Sequence, residues 1–230
     1  MLNTNLHKEI MLSILRKIYE KEGLRSILGF KGGTAAMLFY DLPRFSIDLD
    51  FDLLDEAKKE WVLQELKKII QPLGEIRDLT EKHFTLFGLL NYVKGQRNLK
   101  IEISKRGSTS VYAPMNYLGT SMMVVTRDDM VACKMAALAT RKRFAMRDMY
   151  DTWYFLSNHW EMDETVLKNQ TGVEIKKSLE WAIDRVEKVK NNEILSGLGE
   201  LLSEKQKDWV KSKLKNELLF LLRLQLDLRK

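Results

Sequence analysis

Residues 30–53 read FKGGTAAMLFYDLPRFSIDLDFDL, and the fold turns on them. Positions 45–54 alternate: Ile47, Leu49, Phe51 and Leu53 on one face, Ser46, Asp48, Asp50 and Asp52 on the other, which predicts a strand. Before it, Gly32, Gly33 and Thr34 separate a short apolar strand at 26–30 from a small-residue helix at 34–40. Pro43 ends that helix, because proline disfavours the helical conformation in the residue before it. Aspartate is disfavoured in strands, and three in alternation repel one another. A polar strand face is ordinarily just solvated, so the aspartates decide little by themselves. A divalent metal would relieve the repulsion, and Mg²⁺ is typically held by one or two carboxylates together with substrate phosphates.

The glycines supply the other half of such a site. Glycine between a strand and a helix lets the backbone approach a phosphate, and the helix N-terminus offers free N–H groups. Gly32, Gly33 and Thr34 would hold a triphosphate tail, while Asp48 and Asp50 hold the ion that it shares. Asp52 is expected at the rim. Arg44, just before the metal strand, suits a fork onto phosphate oxygens, with capping of the preceding helix as its ordinary alternative. Ser46 joins the nucleotide-binding set.

A third carboxylate is expected on a neighbouring strand. In residues 98–104, NLKIEIS, the inward face is Leu99, Ile101 and Ile103, and Lys100, Glu102 and Ser104 share the other. Glu102 would complete the metal set or draw the proton from an attacking hydroxyl. Its alternative is a surface residue paired with Lys100.

Around this centre the chain divides in two. Residues 5–22 and 56–70 read as helices, and 74–80, 83–93, 97–104 and 121–126 as strands, with 105–120 as a loop. Thr126, an expected N-cap with Asp129 in the capping-box position, opens a helix, a basic loop at 141–143 leads into a second one, and from about 162 onward everything reads as helix. The later helices are placed at 164–170, 173–190, 193–203 and 205–228. The expected domains are 1–126, mixed α and β, and 127–230, all helical.

Composition excludes several classes. There is one cysteine, Cys133, so no intrachain disulfide, and no zinc-type cluster. A reducing, cytoplasmic compartment is the simplest expectation. No run is long and apolar enough for a membrane span, and the N-terminus lacks the pattern of a signal peptide. The net charge of +6 permits a polyanionic partner. The basic loop of Arg141, Lys142 and Arg143, with Arg147, suits an RNA backbone. His83 and His159 have no partners at catalytic spacing.

The run Lys31-Gly32-Gly33-Thr34-Ala35, followed by Leu42-Pro43-Arg44-Phe45-Ser46-Ile47-Asp48-Leu49-Asp50-Phe51, resembles the AbiEii/AbiGii toxin family. That family includes the MenT toxins and lies within the DNA polymerase β-like nucleotidyltransferase superfamily. Two further segments match, Asp129–Ala137 (DMVACKMAA) and Arg147–Asp151 (RDMYD). The resemblance implies an α+β fold: a polymerase β-like mixed sheet with flanking helices, then a helical C-terminal part that completes the active site. It carries functional roles to Lys134 and Asp148 and leaves Asp151 open. It also implies an Mg²⁺- or Mn²⁺-dependent enzyme of a toxin–antitoxin or abortive-infection system. Such an enzyme would move a nucleotide from a nucleoside triphosphate to an acceptor, here the 3′ end of tRNA, with a cognate antitoxin as protein partner. Gly33 stands where many superfamily members have serine, so a hydroxyl contact to phosphate would move to Thr34. Two alternatives stay open: transfer to a protein or small-molecule hydroxyl, and an idle nucleotide- or RNA-binding module.

Overall fold

The structure, a computed structural model, describes residues 3–229 in two units, Met1–Val125 and Thr126–Lys230. The first carries α1 (Thr4–Glu20), α2 (Leu24–Ile27), β1 (Leu28–Lys31), α3 (Gly32–Phe39), β2 (Asp48–Leu53) and α4 (Lys59–Ile70). It continues with β3 (Glu75–Lys82), β4 (Thr85–Asn91), β5 (Leu99–Ser104), β6 (Tyr112–Tyr117) and β7 (Thr120–Val125). The strands form one mixed sheet in the order β3-β4-β5-β2-β1-β7-β6. The β2–β5 and β1–β7 pairs are parallel and the others antiparallel. This is the α+β architecture expected from the sequence.

Each element follows from its apolar pattern. β5 buries Leu99, Ile101 and Ile103 completely and leaves Lys100 and Glu102 partly open. β2 does the same with Leu49 and Phe51. α1 turns Met11, Ile14, Leu15 and Ile18 to the core, at helical spacing, and Asn3 caps it by accepting from the Leu6 N–H. These buried side chains, with Phe30, Leu66, Ile70, Leu86 and Leu90, hold the sheet and its helices as one core.

The differences from expectation have local causes. Gly23, at φ +90°, starts the short turn α2 where a strand from residue 26 was expected. α3 already begins at Gly32. β6 lies inside the expected 105–120 loop. Its Pro114 reads as a strand breaker, but β6 is the last strand of the sheet, where a missing N–H is tolerated.

The second unit is helical throughout its described residues. It comprises α5 (Arg127–Thr140), α6 (Met146–Ser157), α7 (Glu164–Thr171), α8 (Ile175–Glu187), α9 (Glu204–Trp209) and α10 (Lys215–Asp227). Thr126 is the N-cap of α5, but its side chain makes no capping hydrogen bond, so the expected capping box is not complete, and Asp129 is buried. The expected helix at 193–203 does not form: a 3-10 turn at Asn191–Glu193 leads into it, another lies at Gly199–Leu201, and Gly197 between them adopts φ +65°. A π turn at Val210–Leu214 joins α9 to α10 within the single helix expected over 205–228.

Candidate active site

The site is built on the turn from β1 to α3. Gly32 sits at φ +78°, and a Cβ placed there would lie 2.3 Å from Asp50 Oδ2. A Cβ on Gly33 would lie 2.7 Å from the Arg44 guanidinium and 2.9 Å from Ser46 Oγ. Only glycine allows both approaches. Arg44 and Ser46 are buried against the turn, and Arg44 also donates to the Phe45 carbonyl at 2.9 Å. Of the residues predicted for the nucleotide, Gly32, Gly33, Arg44 and Ser46 therefore converge. Thr34 differs. It is fully buried, and its hydroxyl donates to the Asp48 carbonyl, so it locks α3 onto β2 and presents no hydroxyl to a phosphate.

Gly32→Ala tests the tightness of this turn. Left-handed backbone costs an L-residue about 1–2 kcal/mol, before the displacement of Asp50 is counted. Any activity that depends on Asp50 should fall by about a hundredfold, as misplacement of a reacting group by ~1 Å does. Steady-state kinetics beside a denaturation curve measure both.

The acids follow from register. The parallel β2–β5 pairing sets Asp48 opposite Lys100 and Asp50 opposite Glu102. Neighbouring strands lie about 4.8 Å apart, so these four side chains share one patch of the sheet face. Lys100 Nζ lies 3.3 Å from Asp48 Oδ2 and 3.0 Å from Glu102 Oε2. Burial works against the Lys100 charge, but Asp48, Glu102 and Asp50 outweigh it and hold its pKa above the ordinary value. The pairing weighed for Glu102 in the sequence is thus present, alongside the placement beside Asp50.

Asp52 corrects an expectation. It is not at the rim but buried, with Lys31 Nζ 2.5 Å from one oxygen and the Tyr112 hydroxyl 2.5 Å from the other. The odd third aspartate is neutralised from its own sheet.

The donor set suits a hard divalent cation as a carboxylate pair. Among the described residues no group of three acidic, His or Cys side chains is placed to hold a metal by itself. Asp48 and Asp50 match the two-carboxylate arrangement that leaves the remaining positions to phosphate and water. Asp50 lies directly against the glycine turn, where the phosphates of a bound nucleotide would meet it.

His7 escaped the sequence reading. It is fully buried, with Nε2 2.9 Å from the Ile47 carbonyl and Nδ1 2.7 Å from the Tyr92 hydroxyl. Burial pushes its pKa down, so the neutral ring donates from Nε2 to Ile47 and accepts from Tyr92. It braces the backbone one residue before Asp48. The signal was present: His7 lies at helical spacing with Met11 and Ile14.

In the helical unit, Lys134 on α5 and Asp148 and Asp151 on α6 form one cluster. Lys134 Nζ lies 2.7 Å from Asp151 Oδ2 and 3.5 Å from Asp148 Oδ1, and Arg141 Nη1 lies 2.9 Å from Asp148 Oδ2. Both aspartates are buried, so these are not surface ion pairs. Neither Asp148 oxygen makes a well-aligned hydrogen bond, so charge alone holds it. Arg141 is engaged here, and Lys142 and Arg143 remain exposed in the basic loop.

The glycine turn thus stands against an aspartate-bearing strand, with a parallel acidic strand beside it. Solved structures share the fold. JHP933 from Helicobacter pylori is 18% identical, with TM-score 0.62, covering 100% of this chain and 96% of that one. MenT4, a nucleotidyltransferase toxin from Mycobacterium tuberculosis H37Rv, is 16% identical, with TM-score 0.60, covering 98% and 86%. No curated protein matches the chain by sequence. The model of the AbiEii nucleotidyltransferase toxins of type IV toxin–antitoxin systems matches residues 13–219, and the chain belongs to that family.

Proposed function

We propose that the protein transfers a nucleotide from a nucleoside triphosphate to an acceptor hydroxyl, the 3′ end of tRNA, and that it needs Mg²⁺ to do so. The observation that carries the reading is the β2–β5 register, with Asp50 between the glycine turn and Glu102. A pure binder of polyanions gains nothing from that acidic patch, whereas nucleotidyl transfer requires it.

Asp48 and Asp50 would hold the divalent ion, which when bound neutralises charge on the triphosphate. Gly32 and Gly33 give the phosphates access to the backbone at the N-terminus of α3, and Arg44 adds a fixed positive charge behind Gly33. The acceptor oxygen bonds to the α-phosphorus as the bond to the β-phosphate oxygen breaks, and pyrophosphate leaves. Glu102 is the group assigned to take the acceptor proton. Positioning and charge stabilisation supply most of the rate. Lys134 and Asp148 are further residues on which transfer depends. Lys142 and Arg143, exposed and cationic, suit contact with an RNA backbone. An antitoxin encoded as its partner and a cytoplasmic setting belong to the same reading. Among the described residues no helix is long and apolar enough to cross a membrane.

The acceptor is tested by incubating the protein with Mg²⁺, each α-labelled nucleoside triphosphate, and either total RNA or cell protein. Label at the tRNA 3′ end is expected. Label confined to protein overturns the acceptor while leaving nucleotidyl transfer intact.

A further inference from the structure

Lys31 precedes the glycine turn and is the N-cap residue of α3. In the antiparallel β1–β2 register it stands opposite Asp50, so it projects from the same sheet face. Its ammonium pairs with Asp52, which faces Gly29 one step along the strand. The Tyr112 ring covers Gly29 so closely that a Cβ there would fall 2.4 Å from the ring. From that seat the Tyr112 hydroxyl donates to the second oxygen of Asp52. Three strands thus contribute to fixing one ammonium.

The pair is asymmetric. The Asp52 side chain is 5% exposed and the Lys31 side chain 31%, so the ammonium lies between the buried carboxylate and the open face. An ammonium has three N–H donors, and Asp52 is its one partner among the described residues. Two donors remain for a ligand. A lysine on its flexible stem ordinarily loses rotamer freedom when it binds, and here Asp52 has already imposed that loss.

We propose that Lys31 is a further phosphate-contacting residue of the nucleotide site, and that Asp52, held by Tyr112, is the positioning residue that orients it beside Asp50. This rests on the proposed function above. It gives the third aspartate a task distinct from metal binding.

Equilibrium titration of the full chain with Mg²⁺ and α,β-methylene nucleoside triphosphates, against the matching monophosphates, tests it. Lys31→Met should weaken the triphosphate analogue by about tenfold, as loss of one charge-assisted contact does, and the monophosphate much less. Lys31→Arg should recover most of the loss. Asp52→Asn should weaken the triphosphate, and Tyr112→Phe should do so to a smaller degree. Equal weakening of mono- and triphosphate with a lowered melting temperature marks the network as structural only and overturns the proposal. So does unchanged triphosphate binding in folded Lys31→Met. If the wild-type chain binds none of the four triphosphate analogues, the proposed function fails as well, a result distinct from binding that the variants leave unchanged.

Discussion

Asp50→Asn should abolish nucleotide transfer, lowering the rate on the order of a thousandfold or more, and leave the fold at least as stable as before. The two halves of this expectation have one cause. Asp50 stands beside Glu102 in register and shares its strand face with Asp48. In the protein alone these carboxylates repel one another, and Lys100 compensates part of the charge. Removing the charge on Asp50 relieves that repulsion, while the amide is a poor ligand for a hard cation. Steady-state transfer kinetics and a denaturant titration on the same preparation report both effects. A variant that stays folded and keeps its activity would remove Asp50 from the site. Asp50→Ala should be equally inactive, which separates the loss of the carboxylate from any effect of the amide.

Lys134→Met should lower unfolding stability, by up to about 3–5 kcal/mol, the cost of breaking a buried ion pair by removing one partner. Asp151 is fully buried and has the Lys134 ammonium at 2.7 Å, while Asp148 keeps Arg141. The carboxylate that loses most is thus Asp151, whose Lys134 contact at 2.7 Å is the shorter of the two that the substitution removes. A second change, Asp151→Asn, should recover a good part of the lost stability, so the two substitutions are non-additive. Transfer activity should not return in the double variant, because the proposed function gives Lys134 a role of its own. If activity returns together with stability, Lys134 is a structural residue and its functional assignment falls.

Much of the site was legible because its signals are local. The glycine turn, the alternation of β2 and the alternation of β5 each lie within a few residues, and backbone periodicity carries them to one sheet face. The partners of Asp52 were not legible. Lys31 and Tyr112 meet it across strands, and β6, which carries Tyr112, is disguised by Pro114. A rim position was therefore the natural reading for an aspartate at the end of an exposed-looking pattern. Thr34 misled for a similar reason. Sequence put a hydroxyl beside the phosphate turn, but only the packing of α3 on β2 turns it to the Asp48 carbonyl. In the helical unit, Lys134 and Arg141 are seven residues apart, a spacing that puts both on one face of a helix. The burial of Asp148 and Asp151 depends on how α6 packs against that face, which spacing does not encode.

The central claim is that the bond broken lies between the α- and β-phosphates. One measurement addresses it: parallel incubations with Mg²⁺, acceptor RNA and a nucleoside triphosphate labelled at either the α- or the γ-phosphate, for wild type and Asp50→Asn. The prediction is α-label in the acceptor, γ-label released in pyrophosphate, and neither with Asp50→Asn. Incorporation of γ-label, or α-label incorporation that survives loss of the Asp50 carboxylate, would contradict it.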